Sequence, residues 1–197
     1  MAARDTGTEQ MIKEAAKEAF FTKGQMYATT QDIADAAGIS RTSLHYYFRS
    51  RDELMKQIFD EAVNDLNGKL YKLMESALPF KEKVEELVTL FLNETIAYPF
   101  REIFIVTEML SDNLGFSKLS EEVAPCIKAF LKEIKKEIKA GNIMQMQPVQ
   151  FMMNIIALTS HPLLVSPLHK ELFQLSDNQY YRLMNERKKL IVEMLFR

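Results

Sequence analysis

Apolar residues recur at intervals of three and four in one segment after another, the period of helices that bury a single face. Between residues 8 and 23, Met11, Ile12, Ala15, Ala16, Ala19 and Phe20 line up this way, and Gly24 closes the segment. Thr29 or Thr30 is placed to cap a short helix over 31–37, and Ser40 a second over 41–47. Ser50 caps a long helix that opens RDELMKQIFDEAV and runs to about residue 77, ahead of Pro79, with Glu53 completing a capping box. Beyond Pro79 the pattern predicts helices near 80–97, 100–113, 119–140, 148–160 and 177–196. Their breaks fall at Tyr98-Pro99, Gly115, Gly141-Asn142 and His161-Pro162, and Pro125 either opens a helix or kinks one. With only 6 Gly and 6 Pro, long helices follow more naturally than many short strands, and the predicted class is all-α.

The stretch Thr29 to Leu54, TTQDIADAAGISRTSLHYYFRSRDEL, carries the most specific spacing. Ala34 and Gly38 stand four apart and Leu44 follows six later, with Ile33, Ala37, Ile39 and Tyr47 at the remaining apolar positions. A small residue at 34 lets two helices approach closely, and a glycine at 38 ends the first of them sharply by taking a left-handed conformation. This is the spacing of a helix-turn-helix, which inserts its second helix into a DNA major groove. If Leu44 faces the small core, the 100° rotation per residue turns Thr42 and Tyr46 away from it and puts Ser43 and His45 on the flanks. Together with Arg41 at the helix start, these side chains are placed to meet base edges or phosphates. A polar face on so short a helix would mean little by itself; the surrounding spacing gives it weight.

Charge refines this picture. The net charge is −2, and the first 56 residues hold eight basic and eight acidic side chains, which argues against a general nucleic-acid coat. Arg41, Arg49 and Arg51 nevertheless gather around the second and third helix starts, a local basic edge that suits phosphates.

Ile12, Ala15-Ala16, Phe20, Gly24, Thr29-Thr30, Asp32-Ile33-Ala34, Ala37-Gly38-Ile39-Ser40, Leu44, Phe48, Ser50, Arg51 and Leu54 together resemble the N-terminal domain of the tetracycline-repressor (TetR) family. The resemblance covers roughly the first 56 residues. It implies a homodimeric, all-α, ligand-responsive transcriptional regulator, usually a repressor, that binds a double-stranded DNA operator. It also implies that Thr29, Thr30, Arg41, Thr42, Ser43, His45, Tyr46, Tyr47 and Arg51 lie on or near DNA. Three positions depart from the common pattern: His45 and Gln25 stand where the family commonly has Tyr, and Arg51 where it has Lys.

Two domains are expected: 1–56, the helix-turn-helix, and 57–197, a helical domain for effector binding and dimerisation, joined by the long helix that would act as the lever. The segment VQFMMNIIAL (149–158) is apolar on nearly every side, which a helix tolerates only when covered all round. The last helix stacks Tyr180, Leu183, Met184, Leu190, Ile191, Met194 and Leu195 on one broad face. A symmetric four-helix interface with a second copy would bury this surplus, with Met152, Ile155, Ile156, Leu183, Leu190, Ile191 and Met194 at the dimer contact. Methionine is abundant, 12 of 197, and Met109 and Met152 with Phe100 and Phe104 are candidate linings for a small apolar effector among the helices of 80–160.

Other classes fare worse. His161 and His169 are separated by Pro162 and Pro167 and do not share a helical face as zinc ligands would, so no metal site, cofactor or catalytic residue is expected. Glu85-Glu86 and Glu121-Glu122 read as solvated helix faces. A helical protein-interaction module that has lost DNA reading is the alternative. Cys126 is the lone cysteine, the N-terminus lacks a signal-peptide core, and Val149–Val165 is too short and too interrupted to span a bilayer. A cytoplasmic protein without a membrane partner is therefore expected.

Overall fold

The computed structural model of the chain describes residues 6–110 and 116–196, and for 116–123 the backbone alone. It is all-α. The helices are α1 (Thr6–Lys17), α2 (Thr30–Ala36), α3 (Arg41–Tyr47), α4 (Arg51–Met74), α5 (Phe80–Ala97), α6 (Arg101–Leu110), α7 (Phe116–Ala140), α8 (Pro148–Leu164), α9 (Ser166–Leu172) and α10 (Asp177–Leu195). The predicted end of the 100–113 helix and the Gly115 break lie outside the described residues, as do the side chains of Glu121 and Glu122.

Packing divides the chain into two units, with the boundary inside α4 after Leu66. The first unit holds α1 to α3, the start of α4 and, from further along the chain, α6. Its first helix does not run unbroken to residue 23: α1 passes into a π-helical turn over Glu18–Thr22. That wider turn lets Ala19, Phe20 and Phe21 all face inward, which three consecutive residues of a regular α-helix cannot do. Phe104 of α6 fills the resulting surface, stacked on Phe20 at 5.4 Å between ring centroids and edge-on to Phe21 at 5.1 Å. Phe100 completes the joint. Its N–H donates to the Phe21 carbonyl at 2.9 Å, and its ring lies 3.0 Å from where a β-carbon on Gly24 would stand. Gly24 is needed twice over, because it also adopts φ +67°. On the opposite side, Glu61 of α4 accepts from Lys13 and Lys17 of α1, each at 2.9 Å.

In the second unit α5 packs on α8 and α10 around Leu87, Val88, Phe151, Ile155, Met184 and Ile191. Lys83, 3% exposed, donates to the Met74 carbonyl at 2.9 Å and to both carboxylate oxygens of Glu133. It thereby caps α4 and pairs its buried charge at once. Cys126 packs beside Met74 with its thiol on the thioether sulfur, and burial pushes its pKa up, as suits a core residue rather than a nucleophile. Pro125 lies inside α7.

The break expected at His161-Pro162 is not there. α8 continues through Pro162 to Leu164, and only then does the chain bend, by 66°, into the unpredicted α9. Proline costs a helix the bond to the carbonyl four residues back. Here that carbonyl, Leu158 O, is taken by Arg187 Nε of α10 at 2.8 Å. The Tyr180 hydroxyl, also from α10, donates to the carbonyl of Pro162 itself. Arg187 thus replaces the bond the proline removes, while Tyr180 satisfies a carbonyl of the helix's last turn. The bend leaves His161 on α8 and His169 on α9, so the two share no helical face, although their ring centroids lie 6.3 Å apart. His169 Nδ1 is engaged by the Tyr180 hydroxyl at 3.0 Å, and no group of three or more potential ligands able to hold a metal forms among the described residues.

Candidate nucleic-acid interface

α2 and α3 are each held by their own first residues. At the start of α2, Thr29 Oγ1 accepts from the Asp32 N–H while the Asp32 carboxylate accepts from the Thr29 N–H at 2.8 Å and its hydroxyl at 2.7 Å. Those bonds, the backbone one foremost, hold the Asp32 carboxyl below the ordinary range. The helix stops at Gly38, φ +68°, whose left-handed turn lets the Ile39 N–H reach back to the Ala34 carbonyl at 3.0 Å. No atom lies within 4 Å of a β-carbon placed on Gly38, so glycine is required there by conformation and not by space. Ser40 then caps α3, accepting from the Ser43 N–H at 3.0 Å and sharing a hydrogen bond with its hydroxyl at 2.9 Å. At Ser50 only half of the predicted box forms: Ser50 Oγ accepts from the Glu53 N–H, but Glu53 reaches back to the N–H of Arg49.

Along α3 only Leu44 is buried. Arg41, Thr42, Ser43, His45 and Tyr46 are exposed, and Tyr47 is half-buried against the edge of Tyr46, with ring centroids 5.2 Å apart. Phe48, which ends the helix, joins the core. A seven-residue helix with one inward anchor presents almost all its hydrogen-bonding chemistry outward.

The other residues assigned to this face separate into groups. Thr29 is exposed but serves first as the α2 cap, and Thr30 is only 8% exposed, its side chain turned into the packing. Arg51 is engaged inside the unit. Its Nε donates to the Ala28 carbonyl at 3.0 Å, one terminal nitrogen donates to Met26 O at 2.9 Å, and the guanidinium lies over the Phe20 ring. It pins the segment before α2 to the start of α4.

The residues assigned to the second domain also divide. Ile155 and Ile191 point into the core, each 1% exposed, and cannot meet a second copy. Met152 packs against the same core, while Ile156, Leu183, Leu190 and Met194 are exposed. Val149 and Met153, not foreseen in this role, extend the α8 stripe at 149, 153 and 156. Of the effector candidates, Phe100 and Phe104 are consumed by the α6 joint described above, and Met109 is half-buried on the same helix. On α8 periodicity could not have separated these cases, because a helix that is apolar all round has no preferred face. Among the described residues no single helix is long and apolar enough to cross a membrane.

Comparison with known proteins agrees with this geometry. Residues 12–58 match the family model for bacterial regulatory proteins of the tetR family. The transcriptional repressor KstR2 of Rhodococcus jostii is 33% identical over 84 residues, 43% of this chain and 41% of that protein, so the match spans under half of that relative. The regulator RutR of Escherichia coli is 27% identical over 157 residues, 78% of this chain and 72% of that one. Among solved structures, a tetR-family regulatory protein from Rhodococcus superposes with a TM-score of 0.69 at 17% identity, covering 97% of this chain and 98% of that one. The regulator FadR of Bacillus subtilis, solved with stearoyl-CoA, does so at 0.59 and 16% identity, covering 94% and 98%. At such identities the structures speak for the fold, while the matched residues 12–58 contain the whole α2–turn–α3 element. The likeness to the tetR family is thus carried in sequence by residues 12–58 and in fold by the chain as a whole.

Proposed function

We propose that the protein is a homodimeric repressor that reads a palindromic operator with α3 and releases it when a small apolar or amphipathic effector enters the second unit. The observation that carries the DNA reading is the face of α3: one buried leucine, and Arg41, Thr42, Ser43, His45 and Tyr46 in the open. Arg suits guanine or phosphate, and hydroxyls suit phosphates or bases. Thr29 and Tyr47 border this face, and Arg51 acts by fixing the segment in front of α2. Two such heads about 34 Å apart would meet successive major grooves. The apolar stripes of α8 and α10, exposed among the described residues, support a four-helix contact between copies. Partly buried Phe91, Ile127, Leu131, Met152 and Leu158 beside the core support an apolar effector, as does the acyl-CoA held by the similarly folded Bacillus protein.

Selection from a random duplex pool, followed by a salt series on the winner, tests the reading. An enriched palindrome with half-sites about one turn apart, and affinity falling steeply with salt, is expected. If refolded, ligand-free protein enriches no sequence, the reading fails.

A further inference from the structure

Among the exposed large apolar and aromatic side chains, Tyr27 stands out at 95% exposure. It does not sit on a loose loop. The carbonyls on either side of it, those of Met26 and Ala28, are both held by the guanidinium of Arg51. The same segment is closed by Gln25 N–H to Ala19 O, Met26 N–H to Gly24 O and Ala28 N–H to Gln25 O, each at 2.9 Å. Arg51 is itself seated over Phe20, and Gly24 is wedged by Phe100. The backbone beneath Tyr27 is therefore tied on both sides, while the ring gains almost nothing from folding. A folded chain that orders an aromatic residue without burying it forgoes the stabilisation such a ring normally brings. Its neighbours say what it meets. Tyr27 lies two residues before Thr29 at the head of α2, and Arg51 fastens its segment to the corner where α3 ends and α4 begins. Chain connectivity and the Arg51 clamp thus hold Tyr27 at the end of the unit where α2 begins and α3 gives way to α4.

We infer that Tyr27 is a further DNA contact, resting on the reading above: its hydroxyl donates to a backbone phosphate at the margin of each half-site. The Arg51 clamp pre-sets its position. A phenol brings no cation to the phosphate, so this contact adds affinity without releasing a counterion. That separates it from Arg41, whose loss lowers both affinity and salt dependence.

Wild type, Tyr27→Phe, Tyr27→Ala and Arg41→Ala are compared on the selected operator across a salt series, with ethylation interference to mark the phosphates. Tyr27→Phe keeps the ring, and thermal melting checks that each variant is folded. Expected is a roughly tenfold loss for Tyr27→Ala, most of it already present in Tyr27→Phe, with the wild-type salt slope retained. One phosphate per half-site should block wild type when ethylated and make no difference to Tyr27→Ala. Affinities within about twofold of wild type for both Tyr27 variants would overturn the contact while leaving the α3 reading intact. If wild type itself selects no duplex, both fall together.

Discussion

α3 and α10 both leave large side chains in water, and they do so with opposite chemistry. α3 exposes an arginine, a histidine, hydroxyls and a tyrosine around one buried leucine. α10 exposes Leu183, Leu190 and Met194 along one edge, while Tyr180, Met184, Ile191 and Leu195 on the adjoining face join the core. A surface of donors and acceptors gains by exchanging water for an equally polar partner such as a nucleic acid. An apolar stripe gains only by losing water altogether, which another protein surface supplies. The contrast suits the two helices to different kinds of surface, a polar one for α3 and an apolar one for α10.

The sharpest way to break that assignment is Arg41→Ala with Tyr46→Ala. Two contacts at about 2 kcal/mol each correspond to a roughly thousandfold loss of operator affinity, with the melting temperature unchanged because neither side chain is buried. Retained affinity in a binding titration would show that α3 does not read DNA. Next in size, Leu183→Glu with Leu190→Glu should weaken self-association at least about a hundredfold and yield a folded monomer in sedimentation. A persistent dimer would place the interface elsewhere. Third, Arg187→Ala strands the Leu158 carbonyl and should cost about 1–3 kcal/mol in denaturant unfolding, with no direct effect on operator contacts.

The smallest effect is a pH dependence confined to the α1–α4 joint. Burial pushes the Glu61 carboxyl up, but hydrogen bonds and ion pairs from Lys13 and Lys17 outweigh it and leave the carboxyl below its ordinary range. Both lysines are raised: burial lowers them, and their bonds to Glu61 and to Glu9 or Glu14 more than offset that. A depressed carboxyl stabilises above its unfolded value and ceases to as the pH falls through the folded one; a raised lysine stabilises until the pH climbs through its folded value. Melting curves of wild type and Glu61→Gln should therefore differ most near neutrality, by no more than about 1 kcal/mol, and converge at both acid and alkaline extremes.

What the sequence conceals is of one kind. α2 and α3 lie within a residue of their predicted ranges because caps, a left-handed glycine and a buried leucine are all local instructions. Pro162 looked like a stop because the rule for proline is also local, whereas Arg187 and Tyr180 act from another helix. The π-helical turn has no local signal for the converse reason: its payoff, two adjacent phenylalanines facing inward, depends on Phe104 beside them. Ile155 belongs to an all-apolar segment that carries no directional signal, and Ile191 shares one broad apolar band with the exposed Leu190 and Met194.

The placement of α6 has a practical corollary for engineering. Sensors are often assembled by joining the reading end of one regulator to the responding end of another at a single cut. Here a cut after Leu66 would strip the reading end of Phe100 and Phe104, leaving Phe20 and Phe21 bare. A working chimaera would have to carry α6 across as an insertion within the foreign half. The two units are interleaved along the chain, and they are not modules that a single splice can exchange.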